Sequence, residues 1–318
     1  MRYKEFGKTS LKVSEVALGT WGIGGAGWDD NQEETRLDAI RSAVECGINL
    51  IDTAPAYNSG VAERYIGSVL KDMGVREKMI ITTKCGTEFI DGAYVRNCAP
   101  EAILRQCEES LRNLQTDYID LYLIHWPDAS VPIAETMETL NQLKRQGKIR
   151  HIGVSNFGRE QIEEAGRYGS IEVYQPQYSM VFRSNEEQMK WACGQGMGVM
   201  TYGSLGAGIL TGAFRQLTAF AASDNRSRFY KHFQEPMFSK VMKVVEVMDR
   251  LSAERNNVPL SQIALNWCAQ KSFVGSCIVG AQSRRKVEEN CAGFEWMLTE
   301  KEVAALDAAI EQYLEGDA

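Results

Sequence analysis

The sequence has no uncharged apolar stretch that approaches the roughly 20 residues required for a transmembrane helix. Its first residues, MRYKEFGKTSLKVSEV, are polar and charged, and they contain no apolar run of signal-peptide length. These absences predict a cytoplasmic protein that does not associate with membranes.

The chain also lacks an excess of basic residues. It contains 35 Lys and Arg against 42 Asp and Glu, which gives a net charge of −7, and the basic residues are scattered among acidic ones. A protein of this charge would be repelled by a phosphate backbone, so nucleic acid is excluded as a partner. A small-molecule partner is expected, and assembly into a homo-oligomer is left open.

A zinc-binding pattern is absent as well. The eight cysteines occur singly, without a C-x-x-C spacing, and none of the three histidines lies where it would complete a set of zinc ligands. The sequence therefore predicts reduced thiols and no metal site.

The chain has the length and composition of a soluble globular protein. Its 318 residues, 44% of them hydrophobic, suffice for one large α/β barrel or two ordinary domains. No low-complexity segment or linker divides them. We therefore expect a single domain over residues 1–318.

Short apolar, β-branched runs alternate with longer segments of helical period, which is typical of βα units. Strands are predicted at 16–18, 49–52, 79–84, 118–124, 149–155, 173–175, 198–202 and 277–279. Helices are predicted at 31–46, 61–73, 100–114, 133–146, 159–167, 185–195 and 284–290. Eight such units close a (β/α)8 TIM barrel.

Additional segments flank this barrel. The opening residues predict a β-hairpin that turns at Gly7 and Lys8 and caps the amino-terminal end of the barrel. Two further helices are expected between 237 and 270, and a C-terminal helix is expected over 299–314. The segment 214–236 has no clear period, which predicts a long functional loop and a candidate lid.

Polar residues follow the second, third and fourth predicted strands. Asp52 and Lys84 end the second and third strands, Tyr57 lies in the loop after Asp52, and His125 follows the fourth. Because the carboxyl ends of barrel strands form the working face, these four side chains should meet in one mouth. Taken singly, each residue is explained better as a rim, packing or core residue, but four complementary groups on three consecutive strand ends favour chemistry.

These four groups complement one another chemically. A Lys ammonium stabilises phenolate and would lower the pKa of Tyr57, while Asp52 would keep Lys84 charged and oriented. His125 could then donate a hydrogen bond to a substrate carbonyl.

Several motifs resemble those of the aldo-keto reductase family in sequence and order. They are FGKTSLKVSEVALGTW, NLIDTAPAY with AERYIG, IITTKCG, DYIDLYLIHWPD, GKIRHIGVSNF, VYQPQYSM, TYGSLGAGILTG and IVGAQSRRKVEEN, and they span nearly the whole chain. The resemblance implies a (β/α)8 barrel that uses NADPH to reduce aldehydes, ketones or sugars reversibly. It places the catalytic tetrad of the family on Asp52, Tyr57, Lys84 and His125, with Tyr57 as general acid/base.

The resemblance also implies a set of cofactor-binding residues. Ser155, Asn156 and Gln175 would hold the nicotinamide carboxamide, and Tyr202 would stack on its ring. Backbone N–H groups of Leu205, Gly206 and Gly208 would approach the pyrophosphate. The remaining implied cofactor residues are Gly203, Leu210, Gly280, Gln282, Lys286, Glu289 and Asn290.

The choice between NADP and NAD depends on the segment after the eighth strand. Arg284, Arg285 and Lys286 begin a helix there, which favours a 2′-phosphate, although at least one of the arginines could simply be solvated. Relatives of this subtype usually have Arg where this chain has Gln282. NADP(H) is therefore predicted, with NAD(H) as an alternative.

Aromatic residues are the candidates for the substrate pocket. Trp21, Trp28 and Trp126 follow strands or lie in the loops after them. Phe229 or Phe233 could contribute from the segment 214–236, referred to below as the long insertion. The chain ends soon after its last helix and so lacks the long C-terminal loop that narrows the pocket in many relatives. An open substrate site is therefore expected.

An alternative function is a cofactor-binding regulatory module, because the barrel also resembles potassium-channel β subunits.

Overall fold

The computed structural model describes residues 1–25, 32–90, 93–217, 219–220, 224, 226 and 230–314. Eight parallel strands close a barrel, and they follow one another around it in chain order. This arrangement confirms the predicted fold class. The barrel strands are β3 (Val16–Gly19), β4 (Leu50–Asp52), β5 (Ile80–Cys85), β8 (Ile119–Ile124), β9 (Ile149–Ser155), β10 (Val173–Gln175), β11 (Gly198–Thr201) and β12 (Ser276–Gly280).

The strands form where continuous apolar runs can be buried on both faces. Every residue of β5 and β8 is buried, as expected for parallel strands that have helices outside and side chains within. Leu50, Leu121 and Met200 belong to one apolar cluster of the buried core. A larger cluster includes residues of the surrounding helices.

The helices lie close to their predicted positions. Gly74, with φ of 65°, ends α3 because glycine adopts the left-handed conformation of a helix C-cap without strain. The helices are α1 (Trp21–Gly24), α2 (Glu33–Glu45), α3 (Val61–Met73), α4 (Pro100–Leu114), α5 (Ile133–Arg145), α6 (Arg159–Ala165), α7 (Glu186–Gly194), α8 (Met237–Glu254), α9 (Leu260–Ala269), α10 (Arg284–Ala292) and α11 (Glu300–Leu314).

The N-terminal hairpin is present as predicted. Strand β1 (Tyr3–Glu5) pairs antiparallel with β2 (Lys12–Ser14). The Phe6 ring between them is fully buried and lies against Gly198, where an added Cβ would approach it to 2.7 Å. Gly198 begins a barrel strand, so the hairpin closes the amino-terminal end of the barrel.

Among the strands and α-helices of the described residues, one hairpin and one short helix were not predicted. A second hairpin, β6 (Thr87–Ile90) and β7 (Ala93–Arg96), follows the third barrel strand, and the short helix α1 follows the first. Both stand at the carboxyl end of the barrel. Within the described part of the chain, no helix combines the length and apolar character that a membrane span requires.

The long insertion packs through an aromatic cluster. The Phe233 ring lies 5.2 Å from the Phe214 ring and 4.9 Å from the Phe220 ring, and Phe233 is 7% exposed. Phe233 therefore anchors the insertion rather than lining a pocket. Phe229, the other candidate from this segment, lies outside the described residues.

Candidate active site

The structure brings Asp52, Tyr57, Lys84 and His125 together at the carboxyl end of the barrel. Asp52 is the last residue of β4, Lys84 is the penultimate residue of β5, and His125 follows β8. These strands are neighbours, and Tyr57 lies in the loop that leaves β4. The four residues are referred to below as the tetrad.

Lys84 is the centre of the tetrad. Its Nζ donates to both carboxylate oxygens of Asp52 at 2.9 Å and to the Thr53 carbonyl at 2.8 Å. The same nitrogen lies 3.3 Å from the Tyr57 hydroxyl. Lys84 and Asp52 are 1% and 3% exposed, so this is an almost fully buried ion pair.

Burial and ion pairing shift the pKa of Lys84 in opposite directions. Loss of water lowers the pKa of the Lys84 ammonium, while the charge and hydrogen bonds of Asp52 raise it. Asp52 also accepts a 2.7 Å hydrogen bond from Nε2 of Gln175. The carboxylate is thereby fixed in a position that keeps Lys84 oriented.

The expected lowering of the Tyr57 pKa is wrong for this structure. Burial raises the pKa of the Tyr57 hydroxyl well above its usual value, and the negative charge of Asp52 raises it further. The phenols of Tyr94, Tyr202 and Tyr230 add smaller increases to the same pKa. The Asp52 carboxylate that pairs with the Lys84 ammonium also opposes phenolate formation, so the phenol is protonated at neutral pH.

His125 lies across the mouth from Tyr57. The two ring centroids are 6.1 Å apart, and the ring planes meet at 79°. Burial, followed by the nearby charge of Lys84, lowers the pKa of His125 well below its usual value. A neutral imidazole donates from only one ring nitrogen, so His125 offers one donor rather than a second cation.

The predicted nicotinamide residues form one network at the adjacent strand ends. The Ser155 hydroxyl donates to the Gln175 carbonyl at 2.8 Å, and the Tyr202 hydroxyl donates to Oδ1 of Asn156 at 2.8 Å. Nδ2 of Asn156 donates to the His125 carbonyl at 3.0 Å. Hydroxyl and amide groups beside the half-buried Tyr202 ring fit the polar carboxamide and flat ring of a nicotinamide.

The glycine-rich loop after β11 differs in detail from the prediction. Gly203, Gly206 and Gly208 have φ of 72°, 56° and 98°, left-handed values that glycine adopts readily. The N–H groups of Gly206 and Gly208 donate to the carbonyls of Gly203 and Leu205. These two amides are therefore satisfied within the turn rather than directed at a phosphate.

Other groups of the glycine-rich loop after β11 are also engaged within the protein. The Leu210 side chain is fully buried in the core, and its N–H donates to the Leu205 carbonyl at 3.3 Å. Nε2 of His232, in the long insertion, lies 2.9 Å from the Gly206 carbonyl. The insertion therefore packs directly on the glycine-rich loop.

In the segment after β12, one of the three predicted cations is paired within the protein and two are exposed. Arg284 donates to Asp38 at 2.7 and 3.0 Å and to Glu45 at 2.6 Å, so its guanidinium is committed to helix α2. Gln282 donates from Nε2 to the Gly22 carbonyl at 3.0 Å. Lys286 is exposed on the first turn of α10, and Arg285 is exposed beside it.

The other predicted adenosine residues lie on the same stretch. Gly280 is exposed at the end of β12, and an added Cβ there would meet no atom within 4 Å. Oε1 of Glu289 accepts a 3.2 Å hydrogen bond from the Ser261 hydroxyl, and Asn290 is buried. Glu289 therefore has a partner within the protein.

Of the predicted substrate residues, two lie at the mouth. The Trp21 ring lies 6.3 Å from the Tyr57 ring, with 25° between their planes. Trp126 follows His125 and is 36% exposed. Trp28 lies outside the described residues.

Sequence reasoning missed Tyr94, Arg96 and Tyr230, which lie near the tetrad. The Tyr94 hydroxyl donates to the Ala56 carbonyl at 3.4 Å, and the Arg96 guanidinium lies over the Trp126 ring. The Tyr230 phenol is close enough to raise the pKa of Tyr57. Only the aromatic character of the segment 214–236 could have suggested Tyr230.

Comparison with known proteins agrees with this geometry. The model of the aldo/keto reductase family matches residues 15–311. The chain is 35% identical to the aldo-keto reductase YhdN of Bacillus subtilis over 98% of its own length and 94% of that protein. It is also 35% identical to the NADH-specific methylglyoxal reductase of Escherichia coli, over 96% and 97% of the two chains.

A solved structure supports the same assignment. The glycerol dehydrogenase of Gluconobacter oxydans superimposes with a TM-score of 0.89 at 31% identity, covering 100% of this chain and 97% of the other. The family consists of carbonyl-reducing oxidoreductases that use nicotinamide cofactors, which confirms the predicted cofactor class, NADP(H) with NAD(H) as an alternative. By sequence, fold and the residues assembled at the barrel mouth, the chain belongs to the aldo/keto reductase family.

Proposed function

We propose that this protein reversibly reduces an aldehyde, ketone or sugar carbonyl to the alcohol with NAD(P)H, and that Tyr57 is the general acid/base. One observation carries the proposal: the Tyr57 hydroxyl lies 3.3 Å from a buried Lys84 ammonium that Asp52 holds in place. An acid next to a fixed positive charge suits proton transfer to a substrate oxygen.

The roles follow from the protonation states. In reduction, the substrate carbonyl oxygen accepts a hydrogen bond from the neutral His125 imidazole and another from the protonated Tyr57 hydroxyl. As negative charge develops on that oxygen, Tyr57 transfers its proton, and the Lys84 ammonium stabilises the phenolate that remains. In the oxidation direction, the same phenolate takes the proton of the alcohol.

The cofactor-binding groups are proposed to be those that the family resemblance implies. When bound, the nicotinamide supplies or accepts the hydride. Ser155, Asn156 and Gln175 would hold its carboxamide, and Tyr202 would stack against the ring. The pyrophosphate and adenosine would lie along Gly203, Leu205, Gly206, Gly208, Leu210, Gly280, Gln282, Lys286, Glu289 and Asn290. Because the amides of Gly206 and Gly208 are used within their turn, these two residues would let a phosphate approach the backbone without a Cβ in the way rather than donate to it.

For the substrate, Trp21 and Trp126 would form two sides of the pocket. The Trp21 ring stands beside the tetrad, 6.3 Å from the Tyr57 ring and 25° from parallel with it, and Trp126 directly follows His125 in the chain. The names of two relatives, a methylglyoxal reductase and a glycerol dehydrogenase, favour carbonyls or alcohols that carry further oxygen atoms.

The proposal is tested by following cofactor oxidation with a panel of carbonyl compounds, including methylglyoxal and glyceraldehyde. We expect turnover with NADPH or NADH and direct transfer of deuterium from a nicotinamide labelled at C4 to the product carbon. Binding of cofactor without turnover of any carbonyl would contradict the proposal and would favour a regulatory module.

Cofactor preference is expected to depend on Lys286, and NADP(H) is proposed as the preferred cofactor. Gln282 carries no charge and Arg284 is paired with Asp38 and Glu45, so Arg285 and Lys286 are the exposed cations left for a 2′-phosphate. Lys286 is chosen because it stands at the other position that is basic in the family motif. Lys286→Ala should raise the Kd for NADPH about tenfold, since a charge-assisted hydrogen bond is lost. The Kd for NADH should change less than about twofold.

Tryptophan fluorescence titration measures both constants. Arg285→Ala is the matched control, because Arg285 is the neighbouring exposed cation and should leave both nearly unchanged. If Lys286→Ala raised the Kd for NADPH and the Kd for NADH by the same factor, Lys286 would not recognise the 2′-phosphate.

A further inference from the structure

The β6–β7 hairpin has one face defined by its register. Thr87 pairs with Arg96, and Phe89 pairs with Tyr94. Residues directly opposite each other in an antiparallel pair project to the same side, and so do residues two apart along a strand. Thr87, Phe89, Tyr94 and Arg96 therefore share one face of the ribbon.

That face is turned toward the barrel mouth. The Tyr94 hydroxyl donates to the carbonyl of Ala56, the residue before Tyr57. Arg96 donates from Nη1 to the Pro127 carbonyl at 3.3 Å, and its guanidinium lies 5.3 Å from the centroid of the Trp126 ring. The hairpin thus contacts both loops that carry the groups facing the substrate oxygen, Tyr57 and His125.

The base of the hairpin is held firmly. The Asn97 N–H donates to the Gly86 carbonyl at 3.1 Å, and Nδ2 of Asn97 donates to Glu88 at 2.9 Å. The Cys98 N–H donates to Asp128 at 3.0 Å, which joins the end of β7 to the loop after His125. These bonds fix the ribbon in position as a wall of the mouth.

The aromatic rings on this wall are exposed. Phe89 and Tyr94 are 50% and 56% exposed, although their ring centroids are only 5.0 Å apart. Trp126, whose ring lies against the Arg96 guanidinium of the same face, is 36% exposed. Exposed apolar patches of this kind mark ligand grooves or interaction sites in soluble proteins. Their place beside Tyr57 and His125 favours a part of the substrate as the occupant.

We propose that Phe89, Tyr94 and Trp126 bind the distal, non-reacting part of the substrate, and that the preferred substrates carry a planar aromatic group on the carbonyl. This inference rests on the proposed carbonyl reduction and adds the substrate class. Aromatic rings gain from offset or edge-to-face contact with other rings, whereas a short aliphatic carbonyl has no ring with which to make that contact. The hairpin is therefore a specificity element, separate from the tetrad.

The test compares 2-naphthaldehyde with propanal as substrates of Tyr94→Ala. Loss of the ring should lower kcat/KM for 2-naphthaldehyde about tenfold, mainly through KM, and change the value for propanal less than about twofold. Tyr94→Phe keeps the ring and should stay close to wild type. Tyr168→Ala is the matched control, because Tyr168 is similarly exposed at 47% but precedes a barrel strand at the opposite end.

Equal losses for both aldehydes would mean that Tyr94 only supports the loop of Tyr57, and they would overturn the inference. No loss for either would overturn it as well. Binding of 2-naphthalenemethanol, measured by its fluorescence anisotropy, is independent of turnover. Weaker binding to Tyr94→Ala than to Tyr168→Ala would support the aromatic wall even if the wild-type protein reduced neither aldehyde, an outcome that would count against the proposed function alone.

Discussion

Tyr57→Phe should lower kcat for carbonyl reduction by about a thousandfold while the cofactor still binds with its wild-type Kd, because only the proton donor is removed. The phenyl ring keeps its place beside Trp21, whose ring lies 6.3 Å away, so the pocket retains its shape. Initial rates of NADPH oxidation give kcat, and tryptophan fluorescence gives the Kd.

Tyr3→Phe is the matched control for this experiment. The Tyr3 hydroxyl donates to the Gly47 carbonyl at 2.7 Å, but it does so in the hairpin at the opposite end of the barrel. Its removal should leave kcat within about twofold of wild type, since it does not touch the reacting groups. A kcat for Tyr57→Phe within tenfold of wild type would exclude Tyr57 as the principal acid.

The second large effect is on stability. Lys84→Met should lower the free energy of unfolding by about 3–5 kcal/mol, because it leaves the Asp52 carboxylate buried without its cation. The double variant Asp52→Asn, Lys84→Met should regain part of this loss while remaining inactive, since both charges are then gone. Urea denaturation followed by circular dichroism measures each free energy, and the double-mutant cycle gives the coupling.

Lys190→Met provides the comparison with a surface pair. Lys190 contacts Glu186 and Glu187 at 3.0 and 2.8 Å, and its side chain is 46% exposed. Lys190→Met should lower the free energy of unfolding by less than about 1 kcal/mol, because solvent screens exposed ion pairs. If Lys84→Met lowered the free energy of unfolding by no more than Lys190→Met does, the buried Asp52–Lys84 pair would contribute no more to stability than an exposed pair.

The barrel could be predicted because its information is local. Each barrel strand ends at a polar or glycine residue or is followed directly by one, and each helix shows its own period and end signals, as Gly74 does for α3. The tetrad followed from the same pattern, because in a closed parallel barrel all strand ends meet on one face. Asp52, Lys84 and His125 therefore required only correct strand boundaries.

The β6–β7 hairpin could not be predicted in the same way. Thr87–Ile90 and Ala93–Arg96 are largely exposed and lack the continuous apolar run that marks the barrel strands, and their pairing is supported by the contact between Phe89 and Tyr94. Contacts with Ala56 and Trp126, on two other loops, hold the ribbon over the mouth. Such contacts leave no mark in the local sequence.

The sequence by itself determined the fold class, the order of the strands and the residues at the strand ends. Only the tertiary structure decided that burial keeps Tyr57 protonated and that Arg284 is paired with Asp38, far away along the chain. It also decided that the amides of Gly206 and Gly208 are satisfied within their own turn. The physical reason is that a local pattern records which side chains are apolar, whereas the ionisation and pairing of a polar group depend on desolvation and on neighbours that only the folded chain brings near.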